Sequence, residues 1–166
     1  MFRGNNRSSN FLGYLRHLPV ATANVIGSEY YPEIQGMVSF YQTPYGVLVL
    51  SEVYGLPKFE GFCEKPIFAF HIHEGSSCSG NVTDPFANVG MHYNPYNCLH
   101  PYHAGDMPPL LGVGGTAYSI FLTDSFTAEE IIGKTVIIHD MPDDFSTQPS
   151  GNAGGKIACG EIVATR

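Results

Sequence analysis

Phe68-Ala69-Phe70-His71-Ile72-His73-Glu74 is the stretch that decides the reading of this chain. Apolar residues alternate with histidines at i and i+2, the period of a β-strand, so both imidazoles leave the same face. Two imidazoles held rigidly on one strand face are half of a metal site. Of the chain's 7 histidines, four more fall in later clusters. His92-Tyr93-Asn94-Pro95 runs on to His100-Pro101-Tyr102-His103-Ala104-Gly105-Asp106, and Val136-Ile137-Ile138-His139-Asp140 ends another apolar strand. His17 stands alone near the start of the chain and reads as an exposed loop histidine.

Everything around these clusters reads as scaffold. A chain of 166 residues suits one domain, which on folding buries roughly 70% of its unfolded surface. Short β-branched and aromatic runs between Gly, Pro and Asn turns point to an all-β sandwich or barrel. The net charge is −7 with no Lys/Arg cluster, so no electrostatic footprint exists for nucleic acid or an anionic membrane. No run reaches the ~18 apolar residues that span a bilayer. Early positive charge at Arg3 and Arg7 is followed by no apolar h-region. That favours a cytoplasmic chain, with an exported one as the alternative. The four cysteines Cys63, Cys78, Cys98 and Cys159 are compatible with two disulfides, one or none, and a reducing compartment argues for free thiols.

In chain order, residues 1–19 read as an irregular extension and residues 20–166 as the domain. Val20–Ile26, Ile34–Gln42 and Val47–Tyr54 are expected strands of an antiparallel meander, the last two joined by the turn Thr43-Pro44-Tyr45-Gly46. The histidine strand follows. Residues 75–114 carry almost no helical or strand period, and so long a structureless stretch in a compact domain points to function. Gly115–Leu122, Thr135–His139 and Lys156–Val163 complete the strands, with a possible capped helical turn at Thr127-Ala128-Glu129-Glu130 and a second polar loop over Asp140–Gly155.

Two ligand sets separate by chemistry. His92, His100, His103 and Asp106 offer three imidazoles and a carboxylate at close spacing, the closed N/O set of a structural zinc site. His71, His73 and His139 form an all-imidazole set, which suits Cu(II) and its tetragonal nitrogen coordination.

Together these motifs resemble the copper–zinc superoxide dismutase family. The resemblance rests on His71-Ile72-His73-Glu74, Gly90-Met91-His92-Tyr93-Asn94-Pro95, His103-Ala104-Gly105-Asp106, Ile138-His139-Asp140 with Asp143-Asp144, and Gly151-Asn152-Ala153-Gly154 before Ala158-Cys159-Gly160. It covers about residues 20–165, and the short segment His100–Leu110 is similar to bacterial members. It implies an eight-stranded Greek-key β-barrel, an immunoglobulin-like sandwich, with two long functional loops. It implies copper on His71, His73, His92 and His139 and zinc on His92, His100, His103 and Asp106, with His92 shared as a bridging imidazolate. Asp143 matches the carboxylate that links a copper histidine to a zinc histidine, and Cys78 and Cys159 match the family's intrasubunit disulfide. Cys63 and Cys98 match no family position and are expected to be free.

The implied reaction is dismutation of superoxide anion to oxygen and hydrogen peroxide through Cu(II)/Cu(I) cycling, with His92 handling a proton. The chain would work as a monomer or homodimer. Where the family carries an Arg before the final Ala-Cys-Gly, this chain has Lys156, which keeps the charge but loses the planar two-donor fork. Reduced but measurable activity is the expectation. The alternative is a dismutase-like copper- and zinc-binding protein with little turnover.

Overall fold

Alternation of apolar residues lays down the first three strands as a meander. A computed structural model describes residues 11–59, 61 and 66–166. Ala21–Gly27 (β1) pairs with Gln35–Thr43 (β2), and β2 with Gly46–Tyr54 (β3), all antiparallel. Their inward residues, among them Ala23, Val25, Val38, Phe40, Val49 and Val53, are fully buried. Alternation at period 2 is what an antiparallel sheet with one packed face requires.

The histidine stretch then does something the sequence does not announce. It is broken at Ala69 into Ile67–Phe68 (β4) and Phe70–His73 (β5), whose partners differ. β4 pairs with Leu110–Val113 (β6), while β5 pairs with Thr135–His139 (β8). Ala69 itself exchanges backbone hydrogen bonds with the far side, its N–H donating to Met141 O and its carbonyl accepting from His139 N. With Thr116–Thr123 (β7) and Lys156–Ala164 (β9), the order is β4-β6-β7-β3-β2-β1-β9-β8-β5. Its two ends are consecutive pieces of one run, so the sheet curls into a nearly closed barrel. Counted as one interrupted strand, residues 67–73 make the nine strands the expected eight, and the crossovers are those of a Greek key.

The expectation that residues 75–114 lack regular structure needs correction. They contain a short 3-10 helix, Ala87–Val89, and strand β6. Strand β6 hides from periodicity because it is only four residues long, begins after Pro108-Pro109 and holds Gly112. It closes a hairpin with β7 through Gly114-Gly115, both at positive φ of 62° and 88°, the backbone that a two-residue hairpin favours. The Thr127–Glu130 segment forms an isolated turn, with Glu130 N donating to Thr127 Oγ1.

Residues 1–10 of the expected extension lie outside the described residues, as does Cys63. Phe11–Arg16 is a 3-10 helix, its Phe11 ring 5.8 Å from that of Tyr45 in the β2–β3 turn. No described helix is long and apolar enough to cross a membrane.

Inside the barrel, Phe40, Phe68, Phe70, Ile72, Leu110 and Ile138 form the core with their neighbours. A second, smaller cluster holds the first long loop against the outer face. Phe86 and Val89 from that loop pack on Ile137 and Cys159, beside the Cys78–Cys159 disulfide. Burying an apolar side chain of this kind contributes about 1.5–3 kcal/mol, so the loop is anchored by packing as well as by the covalent link.

Candidate metal centre

Strand β5 alternates in function as well as in polarity. Phe70 and Ile72 enter the core, and His71 and His73 leave the opposite face, yet all four are buried. The outer pair is covered by the first loop, which runs beside β5 as though it were another strand. Ile72 N donates to Gly105 O, Tyr93 N to Ile72 O, and Glu74 N to Met91 O. Those bonds set His92 opposite His73 and Asp106 opposite His71. His139 arrives on β8, the hydrogen-bonded neighbour of β5.

The structure brings six histidines and Asp106 into two groups, His71, His73, His92 and His139 in one, and His92, His100, His103 and Asp106 in the other. Within each group one donor atom per residue lies within 4.8 Å of all the rest. All six rings are buried, and the His71 and His92 centroids are 3.9 Å apart.

The hydrogen bonds on the far nitrogens decide which atom of each ring is free. His73 Nδ1 donates to Gly90 O at 2.9 Å, and His139 Nδ1 lies 3.5 Å from Gly154 O. His71 Nε2 donates to Asp143 Oδ2 at 2.7 Å, and His100 Nε2 to Asp143 Oδ1 at 2.9 Å. The remaining nitrogens, His71 Nδ1, His73 Nε2, His92 Nε2, His139 Nε2 and His100 Nδ1, are buried with no hydrogen-bond partner. Orphaned polar atoms of this kind are rare because each costs about 1–3 kcal/mol. Four of them converge on one point.

In the second group, His100 Nδ1 lies 3.0 Å from Asp106 Oδ2 without a hydrogen bond. With its proton on Nε2, that nitrogen presents a lone pair to a carboxylate oxygen, an arrangement a cation between them would relieve. His92 Nδ1 is 2.8 Å from Asp106 Oδ1, and His103 Nδ1 is 3.4 Å from Asp106 Oδ2 and 3.5 Å from His92 Nδ1. Tetrahedral donors at about 2.0 Å from one zinc ion stand about 3.3 Å apart. The donor set fits zinc, and the four convergent imidazoles fit copper.

Burial keeps four of these rings, His71, His73, His103 and His139, neutral. It pushes His73 down to about 3 and His139 down to about 4, with the neighbouring His92 adding to both, and it pushes His71 lower still. Burial also lowers His103. For Asp106 burial acts the other way, but the His92 hydrogen bond and the surrounding histidines outweigh it and hold the carboxyl below its ordinary range. Lone pairs are therefore available at neutral pH.

Asp143 is buried in the second loop and fixed by Phe145 N, which donates to its Oδ1 at 2.7 Å. The two loops meet again where His100 N donates to Gln148 Oε1 and Gln148 Nε2 to His100 O. Cys78 and Cys159 are joined as a disulfide, and Cys98 is a free thiol.

Lys156 stands opposite His139 in the β8–β9 register. Its charge reaches His73 and His139, yet its Nζ is not free. It donates to Asp84 Oδ2 at 2.6 Å. Sequence reasoning missed Asp84, along with the carbonyls of Gly90 and Gly154. Asp84 sits 72 residues from its partner in a polar Asn/Thr/Asp/Pro turn, which carries no signal for a long-range ion pair.

A small Greek-key barrel carrying two adjoining His/Asp donor sets that share one imidazole defines a dinuclear metalloprotein of the all-β class. A family profile described as copper/zinc superoxide dismutase (SODC) matches residues 34–162, and the chain belongs to this family. Among curated relatives, superoxide dismutase (Cu-Zn) 2 of Aquifex aeolicus is 32% identical over 157 residues, covering 86% of this chain and 85% of its own length. Superoxide dismutase (Cu-Zn) of Deinococcus radiodurans is 30% identical over 150 residues, covering 80% of this chain and 79% of its own length.

Proposed function

We propose that this chain dismutes superoxide anion to oxygen and hydrogen peroxide, with His71, His73, His92 and His139 as copper ligands and His92, His100, His103 and Asp106 as zinc ligands. The observation that carries the reading is the His92 ring, whose Nε2 converges with three orphaned imidazole nitrogens while Nδ1 faces Asp106 and His103. An imidazole offers lone pairs at both nitrogens only when both are deprotonated, and two cations are what make that species tolerable.

Copper held there supplies one-electron chemistry, Cu(II)/Cu(I), toward two successive superoxide ions. The protein's own residues do the rest. Gly90 O and Gly154 O fix the tautomers of His73 and His139, and Asp143 fixes those of His71 and His100 together. His92 Nε2 is the atom at which a proton can be held beside the reacting anion, while Asp106 and His103 keep the ring from turning. Lys156 supplies positive charge near His139, needed because the whole chain carries −7 and repels an anion. Residues 20–166 form the dismutase domain, working as a monomer or homodimer.

The second reading, a metal-binding relative with little turnover, draws on the Lys156–Asp84 pair, since a tethered ammonium attracts an anion less than a free one. Metal content and superoxide consumption measured on one reconstituted sample decide between them. One copper and one zinc per chain with rapid decay of superoxide establish the enzyme. Both metals bound without turnover, unchanged in Lys156→Arg, establish the binding protein.

A further inference from the structure

We propose that Asp84 is a positioning residue that tethers the Lys156 ammonium and so limits how strongly the copper mouth draws a small monovalent anion. The proposal rests on the reading of the first histidine set as the copper site.

The two side chains are 18% and 39% exposed and meet at 2.6 Å, so the contact is partly shielded from water. Asp84 is not free to turn away. Its Oδ1 accepts from Phe86 N at 3.1 Å, its carbonyl accepts from Asn81 N and Ala87 N, and its own N–H donates to Asn81 Oδ1. The turn so formed is pinned by Phe86 against Ile137 and Cys159, and by the Cys78–Cys159 disulfide. A preorganised carboxylate therefore waits for a flexible ammonium, and the lysine comes to it.

Lys156 brings three N–H donors. One is spent on Asp84, leaving two for an incoming anion. Seen from a few ångströms away the pair is a dipole with no net charge, whereas an untethered Lys156 is a full positive charge beside His139. Removing the carboxylate charge at that range strengthens attraction for an anion by about three- to tenfold.

The test uses the copper- and zinc-loaded protein and azide as the anionic probe, followed by its absorption band with Cu(II). Asp84→Asn keeps an oxygen for Phe86 N and removes the charge. Azide affinity is expected to rise about three- to tenfold, with kcat/KM for superoxide rising alongside and falling more steeply with added salt. Asp84→Glu, which can rebuild the pair, should return both to the starting values. Unchanged azide affinity in Asp84→Asn overturns the proposal, as does a gain in the Lys156→Met background as large as the gain with Lys156 present, since loss of the carboxylate charge alone acts equally in both. A measurement on the unmutated protein stands apart from folding of the variants. Its zinc-loaded form should show a Lys156 Nζ signal protected from solvent exchange, and an ammonium exchanging as fast as that of Lys58 overturns the tether. Absence of superoxide turnover in every sample, with the azide shift intact, refutes the dismutase reading and leaves Asp84 in its role.

Discussion

Replacing Asp143 by Asn separates the two metals. The carboxylate accepts three N–H groups, His71 Nε2 on Oδ2 and both His100 Nε2 and Phe145 N on Oδ1. An amide has one oxygen, and it will stay where two donors need it, on the Oδ1 side. The amide nitrogen then faces His71 Nε2, donor against donor at 2.7 Å. His71 escapes only by moving its proton to Nδ1, the atom that converges with His73, His92 and His139. Loss of such an orienting partner weakens metal binding about 10- to 100-fold, which is about 1.4–2.7 kcal/mol. Copper affinity should fall by that amount, and zinc affinity by less than about tenfold because His100 keeps its acceptor. Competition of the metal-free variant against chelators of known strength reads each metal separately. Equal weakening of both metals, or copper affinity unchanged from wild type, refutes the argument from acceptor count.

Three further outcomes follow from the same geometry. Gly151 has φ +68°, and a Cβ there would collide with Asp143 Oδ1 and reach 2.6 Å from His100 Nε2; Gly151→Ala should lower stability by about 1–3 kcal/mol and release zinc at lower chelator concentration, read by a zinc-sensitive dye. Cys78→Ser opens a link spanning 81 residues and should cost about 4–5 kcal/mol by the loop-entropy account, seen as a lower denaturant midpoint. In the metal-free protein His73 and His139 are depressed to about 3 and about 4 from 6.5, so the unfolded chain takes up protons first. Stability should therefore be full above about pH 6.5 and fall as pH drops toward 4, by about 1.4 kcal/mol per unit for each histidine. A denaturant midpoint equal at pH 7.5 and pH 5 would refute it.

Much of the fold was legible because most strands obey simple alternation. Thr135–His139 lies where periodicity puts it, and the ends of β1, β2, β3, β7 and β9 differ by a residue or so. The break at Ala69 was not legible, since Phe68, Ala69 and Phe70 are equally apolar and equally buried. Only the change of partner, a long-range property, divides them. Strand β6 is too short and too rich in Gly to show a period. The site histidines were visible because His71, His73 and His139 ride on strands while His92, His100 and His103 crowd into a polar loop. Which nitrogen each ring presents was not, because Gly90 O, Gly154 O and Asp143 are remote in sequence and fixed only by the folded loops. The Asp84–Lys156 pair belongs to the same kind of information.

The interrupted run at residues 67–73 carries a consequence for self-association. It closes the barrel from both sides, so β5 masks the backbone edge of β8, whose Val136, Ile137 and Ile138 are fully buried. β5 is also the strand that bears His71 and His73. An ion held by those rings stitches the closing strand to His139 on β8 and to His92 in the covering loop. Emptying the centre leaves four residues of strand to guard an apolar edge that any second copy could extend. The expected outcome is that copper-depleted protein forms oligomers by strand exchange, resolved by size-exclusion chromatography, while the copper-loaded protein does not; equal elution of the two would refute it.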